Sequence, residues 1–313
     1  MIAKYQNEGI LSSGSKVQVT KAAIALPKSS FSERYTPGNV LGTLISRISA
    51  LANDAVGVLA TGAYLDTRCD MGLIVATGSN MALAMDRNVL GAPIVGESNE
   101  MIFNMETGNF AGVRLIQTFF DQLLHTGSGT KGQLLEKMIS GRYLGELVRL
   151  ILIDISRKTD IFPDWTNCQS AFGSHYAFSA EHLSDILHDN TNDLAATGML
   201  LKRLGVRVST AEDRRALKEI CRLVGARSAQ LVAMCISATT KYVDPSLESE
   251  HIVAVDGSLF RGYPAYNEMV QDGVRDMLGE SATKRVQISF LRESSGLGAA
   301  IIAATIETNR MSK

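Results

Sequence analysis

A polar pair, Asn53-Asp54, interrupts an otherwise apolar run, ISALANDAVGVLATGAYLD (Ile48–Asp66). A charge set in a core is costly unless it is paired or has a task, so something is expected to reach Asp54. Two further carboxylates stand in suggestive settings: Glu106 within NMETGNF, and Glu136 at the opening of LLEKMISG. Each hydroxyl of a polyhydroxy ligand can donate to a carboxylate, and a pocket for such a ligand needs acceptors of this kind. Plain structural roles also exist: a cap for Asp54, and first-turn helix stabilisation for Glu136.

Three segments read as strands that end in small-residue turns: IVATGSN, VAVDGSLF and SFLRESSGLGAA. Glycine lets backbone N–H groups approach a ligand closely, and such turns before helices can present those groups to anions. One turn alone is ordinary for an α/β protein. Three beside an isolated Asn-Asp shift the balance toward a nucleotide. The sequence has no G-x-x-x-x-G-K-[ST], and no G-x-G-x-x-G follows a first strand, so the P-loop and dinucleotide fingerprints are both missing.

The elements that would hold these residues follow from patterning. KVQVTKAAIALP reads as a strand ending at Pro27, SSFSERYTPGN as a loop, and VLGTLISRI as a short helix. ISALA is a short buried strand and AVGVLATGAYL a short apolar helix. Residues 71–80 and 101–110 are strands closing in turns, and 126–132 form a loop. One helix is expected over 134–158, where apolar residues recur at helical spacing. FPDWTN breaks the chain. Ser179 caps a second helix. Ser209-Thr210 with Glu212-Asp213 form a capping box for a long helix to about Val243, interrupted only by Gly225. HIVAVDGSLF is a buried strand, YPAYNEMVQDGVRDML an amphipathic helix and RVQISFL an alternating strand, and ESSGLGAAIIAATIET is a glycine turn opening a helix. Alternating strands and helices predict an α/β fold with much parallel sheet.

Composition bounds the classes of function. The chain has 313 residues, 45% hydrophobic and 20% charged, with formal net charge −1. That balance argues against a broad basic footprint for nucleic acid. Cys69, Cys168, Cys221 and Cys235 are widely spaced, without C-x-x-C, which reads as free buried thiols rather than a zinc site or redox pair. The first residues lack a secretory signal pattern, and no run of about 18 uncharged apolar residues suggests a membrane span. The expected location is the cytoplasm.

Taken in order, ANDAVG, MGLIVATGSN, NMETGNF, LLEKMISGRYLGELVRLIL, VAVDGSLF and SSGLGAAII resemble the hexokinase family, with EKMISGRYLGELVR the most specific segment. The resemblance covers roughly Ile48 to Thr308. It implies the actin-like ATPase architecture of ribonuclease-H-like lobes, with residues 48–313 as the large domain and 1–47 as a remnant of the small one or an irregular N-terminal segment. It also implies phosphorylation of a hexose by ATP with Mg²⁺. Asp54 then resembles the catalytic base that takes the proton from the sugar 6-hydroxyl. Asn53, Asn80, Glu106 and Glu136 resemble hexose ligands, with Gln133 a looser match. Thr77 and Gly78 sit where the family cradles ATP phosphates, Gly141 and Ser184 match ATP-contacting positions, and Asp256-Gly257-Ser258 resembles the adenosine-side turn.

Departures from that pattern bear on activity. Only 52 residues precede Asn53, with no Gly-Gly among them, where the family places a small domain carrying a Gly-Gly-Thr phosphate turn. Ile24–Pro27 resembles the family's Ser-Phe-Pro sugar segment with Ala25 in place of Ser, and its Trp-Thr-Lys segment has no counterpart. Ala55 stands where Thr usually follows the Asp, and Ala180 where Thr is frequent. The turn near Gly296 is one residue short of Gly-Ser-Gly. Two other readings therefore stand: a catalytically impaired sugar-binding regulator, and a chain whose N-terminus lies upstream. A face left by the small lobe would favour self-association.

Overall fold

The computed structural model describes residues 23–25, 50–86, 100–162, 172–280 and 282–311. The expectations for 28–48, for Pro27, for Cys168 and for most of FPDWTN lie outside them. The centre is a sheet of β3 (Cys69–Val75), β4 (Ser79–Asp86), β5 (Glu100–Asn104), β6 (His251–Asp256) and β7 (Val286–Phe290) in the order β5-β4-β3-β6-β7. β3 runs antiparallel to β4, as does β4 to β5, whereas β3–β6 and β6–β7 are parallel. The sheet is thus half parallel, less than the alternation suggested, because 76–78 is a tight hairpin turn rather than a crossover. Two short strands, β1 (Ala23–Ala25) and β2 (Ala50–Ala52), pair separately.

Period-2 alternation sorts the two sheet faces. Met71, Leu73, Val75, Met81, Leu83, Val253 and Val255 enter the larger core. Cys69, Ala82, Ile252 and Ala254 meet Ala55, Val56, Val58 and Leu59 of α1 (Asp54–Leu65) on the other face. That second face is lined by small residues so that the helix can seat closely. A Cβ on Gly72 would lie 2.5 Å from the Leu59 nitrogen. A strand buried on both faces reads as a continuous apolar run, which is why β4 escaped a strand assignment beyond Asn80.

The remaining helices are α2 (Phe119–Gly127), α3 (Leu134–Ile139), α4 (Gly141–Lys158), α5 (Ala180–His188), α6 (Ala195–Arg203), α7 (Ala211–Val243), α8 (Ser258–Gly262), α9 (Tyr266–Leu278), α10 (Ala282–Arg285) and α11 (Ser294–Met311). Several correct the sequence reading. Thr126 and Gly127 close α2 instead of opening a loop. The single helix expected over 134–158 is two, because Ser140 is extended (φ −81°, ψ 151°) and the Gly141 N–H donates to Ala76 O at 2.7 Å. α7 is unbroken at Gly225, which instead seats Tyr263: a Cβ there would fall 1.8 Å from its hydroxyl oxygen. Gly296 and Gly298 lie inside α11, not in a turn before it. Ser179 caps α5 as expected, here within a capping box with His182, and the expected capping box of α7 forms between Thr210 and Asp213.

Among the described residues, α7 alone is long and apolar enough to cross a membrane by length and composition. Leu217, Ile220, Cys221, Val232 and Ile236 of that helix are buried in the core, so the apolar window that the sequence reading passed over has a packing explanation. Cys69 and Cys221 are buried free thiols, and Cys235 is half-buried; burial pushes Cys69 and Cys235 up to about 12.

At the opposite end of the sheet from the candidate site, His251 is wedged between Asp70 (2.6 Å from Nδ1) and Asp244 (3.3 Å from Nε2). The Asp70 hydrogen bond outweighs burial and raises the imidazole above its ordinary value. A raised folded value contributes stability in full below the unfolded value of about 6.5 and loses it as pH climbs through the folded one. Wild-type melting temperature should therefore fall across that interval more steeply than that of His251→Gln. Parallel curves would remove His251 from the account.

Candidate active site

The hairpin turn 76–78 and the starts of α1, α3 and α4 meet at one end of the sheet. Asn53 caps α1, its Oδ1 accepting from Ala55 N–H at 2.9 Å, and Asp54 is the first residue of that helix. Asp54 is therefore half-buried at a helix start rather than immersed in core, its Oδ1 also accepting from Ala55 N–H at 2.9 Å. Negative charge is favourable there. The cap itself is Asn53, which corrects the capping role considered for Asp54.

A continuous amide–carboxylate chain leaves from this corner. Asn80 Nδ2 donates to Asn53 Oδ1 (3.3 Å) and to Asn104 Oδ1 (2.7 Å), and Asn104 Nδ2 donates to Glu106 Oε1 (2.6 Å). The β4–β5 register, which pairs Ala82 with Asn104, makes this possible. Glu106 is in the left-handed region (φ 52°), at the head of a single 3₁₀ turn, Thr107–Asn109. Glu136 stands alongside, its Oε2 accepting from Ser79 N–H at 3.0 Å. Burial pushes the Glu136 carboxyl up; the Ser79 N–H opposes this and the Glu106 carboxylate adds to it. Gly78 and Gly108 wall this carboxylate: a Cβ on Gly78 would lie 2.8 Å from its Oε2, and one on Gly108 3.0 Å from its Cβ. Gln133, also left-handed (φ 54°), precedes α3. The chain behind it is pinned by buried Lys137, whose Nζ donates to Thr130 O (2.7 Å) and Gly132 O (3.0 Å).

Asn104 was passed over in the sequence, although it opens the same NMETGNF motif. It holds Asn80 and Glu106 at a fixed separation. On the hexose-binding role that the sequence resemblance implies for Asn80 and Glu106, Asn104→Ala is expected to weaken binding roughly tenfold, about the worth of one hydrogen bond to a charged group. Titration calorimetry with glucose measures it, and an unchanged Kd would remove Asn104 from the site.

The residues assigned to the nucleotide gather on the other side of the same turn. Thr77 is exposed at its tip. Gly141, first residue of the 18-residue α4, abuts Ala76, and a Cβ on it would lie 3.1 Å from Ala76 O. Gly257 (φ 139°) lies under Val75, where a Cβ would fall 2.1 Å from the carbonyl oxygen, so only glycine fits. Ser258 is exposed at the start of α8. Ser184 reaches the far end of α8, its hydroxyl donating to Gly262 O. The N–H groups of Gly141 and Tyr143 at the start of α4 are engaged by Ala76 O and Ser140 O, so what this corner offers phosphate oxygens is the close backbone approach of its glycines and the positive end of the α4 dipole. Among the described residues no group of three or more His, Cys, Asp or Glu could hold a metal ion.

Comparison with known proteins fits this geometry. A family model described as Hexokinase matches residues 70–305; the match begins after Asn53 and Asp54. The chain is 37% identical over 268 residues to Hexokinase-1 of Oryza sativa subsp. japonica, covering 82% of this chain and 53% of that protein. It is 32% identical over 268 residues to Hexokinase-1 of Arabidopsis thaliana, covering 83% and 54%. Among solved structures, the hexokinase from Schistosoma mansoni complexed with glucose matches with a TM-score of 0.71 at 32% identity, over 81% of this chain and 57% of that one. The chain spans about half the length of the relatives it matches.

Proposed function

Because the chain belongs to the hexokinase family, we propose that it transfers the terminal phosphoryl group of ATP to the 6-hydroxyl of a glucose-like hexose, with Asp54 as general base. Its mixed sheet and flanking helices are the actin-like ATPase fold. The observation that carries the proposal is the unbroken hydrogen-bonded chain Asn53–Asn80–Asn104–Glu106, which starts beside Asp54 and ends beside Glu136. It offers a ring of amides and carboxylates to a polyhydroxy ligand, one turn away from the glycine-lined corner at Thr77, Gly78 and Gly141.

The division of labour follows. Asn53, Asn80, Glu106, Glu136 and Gln133 bind and orient the sugar through its hydroxyls. Asp54 takes the proton of the 6-hydroxyl as that oxygen forms its bond to the γ-phosphorus and the bond to ADP breaks. Thr77, Gly78 and the start of α4 hold the phosphates, while Gly257, Ser258 and Ser184 bound the nucleoside side. Mg²⁺ entering with ATP would supply neutralisation of the phosphate charge. In the cytoplasm the product would feed hexose metabolism, including glycolysis.

The test is ATP-dependent phosphorylation of glucose by the purified chain, run beside calorimetric titrations with glucose. Turnover is expected. Glucose binding without turnover would replace the kinase reading with a sugar-binding regulator.

A further inference from the structure

Asp256 was grouped with the adenosine-side turn, yet its carboxylate is already engaged. Oδ1 accepts from Gly257 N–H at 2.7 Å, and Oδ2 accepts from both the N–H (2.9 Å) and the hydroxyl (2.8 Å) of Ser294, the first residue of α11. Ser294 is fully buried, and its carbonyl oxygen accepts from the Thr61 hydroxyl of α1 at 2.7 Å. A threonine inside a helix ordinarily bonds back to its own preceding turn; Thr61, itself buried, reaches across to another helix instead.

The same two helices interlock one turn along. A Cβ on Gly298 would fall 1.8 Å from Gly57 O, and one on Gly57 2.6 Å from Ser295 O. Thr61 facing Ser294 and Gly57 facing Gly298 define an antiparallel crossing that cannot slide without breaking a hydrogen bond or separating two backbones. Asp54 sits one turn before Gly57 on α1. Gly257, at the other end, lies under Val75 and so supports the 76–78 turn.

We propose that Asp256, Ser294 and Thr61 form a positioning relay that fixes the start of α1, and with it Asp54, at a set distance from the nucleotide corner, without touching either ligand. This rests on the kinase reading. In-line transfer tolerates little misplacement: a 1 Å error can cost on the order of 100-fold.

Thr61→Val removes the hydroxyl and keeps the shape, and Thr61→Ser keeps the hydroxyl. The valine variant is expected to lose roughly 10- to 100-fold in kcat with an unchanged glucose Kd, and the serine variant to recover most of it. A valine variant that turns over like wild type, or a serine variant as impaired as valine, overturns the relay and leaves the kinase reading standing. Should wild type itself not turn over, the kinase reading falls and the relay is judged by amide hydrogen exchange. Faster exchange at Ala55 and Gly257 in Thr61→Val, at a melting temperature close to wild type, sustains it. Unchanged exchange overturns it.

Discussion

Asp54→Ala is expected to lower ATP-dependent glucose phosphorylation by about 10²–10⁴-fold, the usual worth of a positioned general base, while the protein stays folded. If Asp54 is the base, the structure gives a reason for turnover and stability to separate at this residue. Asn53, not Asp54, caps α1, and the helix is buried through Ala55, Val58 and Leu59. Losing Asp54 removes a favourable first-turn charge, worth about 0.3–1 kcal/mol, and its bond from the Ala55 N–H, while the Asn53 cap on the same N–H remains. On the proposed reading, glucose binding should change far less than turnover, because Asn80, Asn104 and Glu106 keep their mutual bonds and Glu136 keeps its bond from the Ser79 N–H. A coupled assay, a thermal melt and a glucose titration on the same preparation separate these quantities. Turnover equal to wild type would sink the base assignment, and a collapsed melting temperature would reassign Asp54 to the fold.

The candidate residues could be picked out of the sequence where their setting is local. Asn53-Asp54, Thr77-Gly78, Glu106 and Glu136 each stand out within a few residues of sequence, and the fold brings them to one end of the sheet. What stayed hidden depends on pairings between distant segments. Asn104 meets Asn80 only because of the antiparallel β4–β5 register. The break at Ser140 is invisible because Ile139 and Leu144 continue the helical apolar pattern; the break is fixed by a backbone bond to Ala76, far back in the chain. β4 lacks the polar alternation of a half-exposed strand, since Ala82 and Ala84 seat α1 while Met81 and Leu83 face the other core. The glycines of SSGLGAA suggested a turn, yet both lie inside α11, and Gly298 makes a helix crossing against Gly57. In each case an interaction across the fold overrode a local pattern.

The largest expected loss of stability follows from a buried ion pair behind the nucleotide corner. Glu146 and Arg149 of α4 have side chains only 3% and 4% exposed, and Arg149 donates to Glu146 from Nε (2.7 Å) and Nη2 (2.6 Å). Arg149 Nη1 also donates to Phe172 O at 2.5 Å, and Tyr176 N–H donates to Glu146 at 2.7 Å, with His175 Nδ1 3.0 Å away. These bonds tie residues 172–179, and hence the start of α5, onto α4. The approach is close enough that a Cβ on Gly145 would fall 2.1 Å from Phe178 O. Burial alone would push the Glu146 carboxyl up, but the Arg149 hydrogen bonds and the Tyr176 N–H win and hold it below the usual glutamate value. Arg149→Met strands a carboxylate in a site built for an ion pair, a loss of about 3–5 kcal/mol. At roughly 2–4 °C per kcal/mol for a domain of this size, the melting temperature should fall on the order of 10 °C. The pH dependence carries the sign. A depressed folded value contributes stability above the unfolded glutamate value and loses it as pH falls through the folded one. Without Arg149 that contribution vanishes, so the gap between wild type and variant should narrow as the solution is acidified. Replacing both charges, with Glu146→Leu beside Arg149→Met, should recover much of the loss, since an apolar pair of similar volume needs no desolvation. A double variant no more stable than the single one would locate the stabilisation in the hydrogen bonds to Phe172 and Tyr176, and not in the pairing of the two charges.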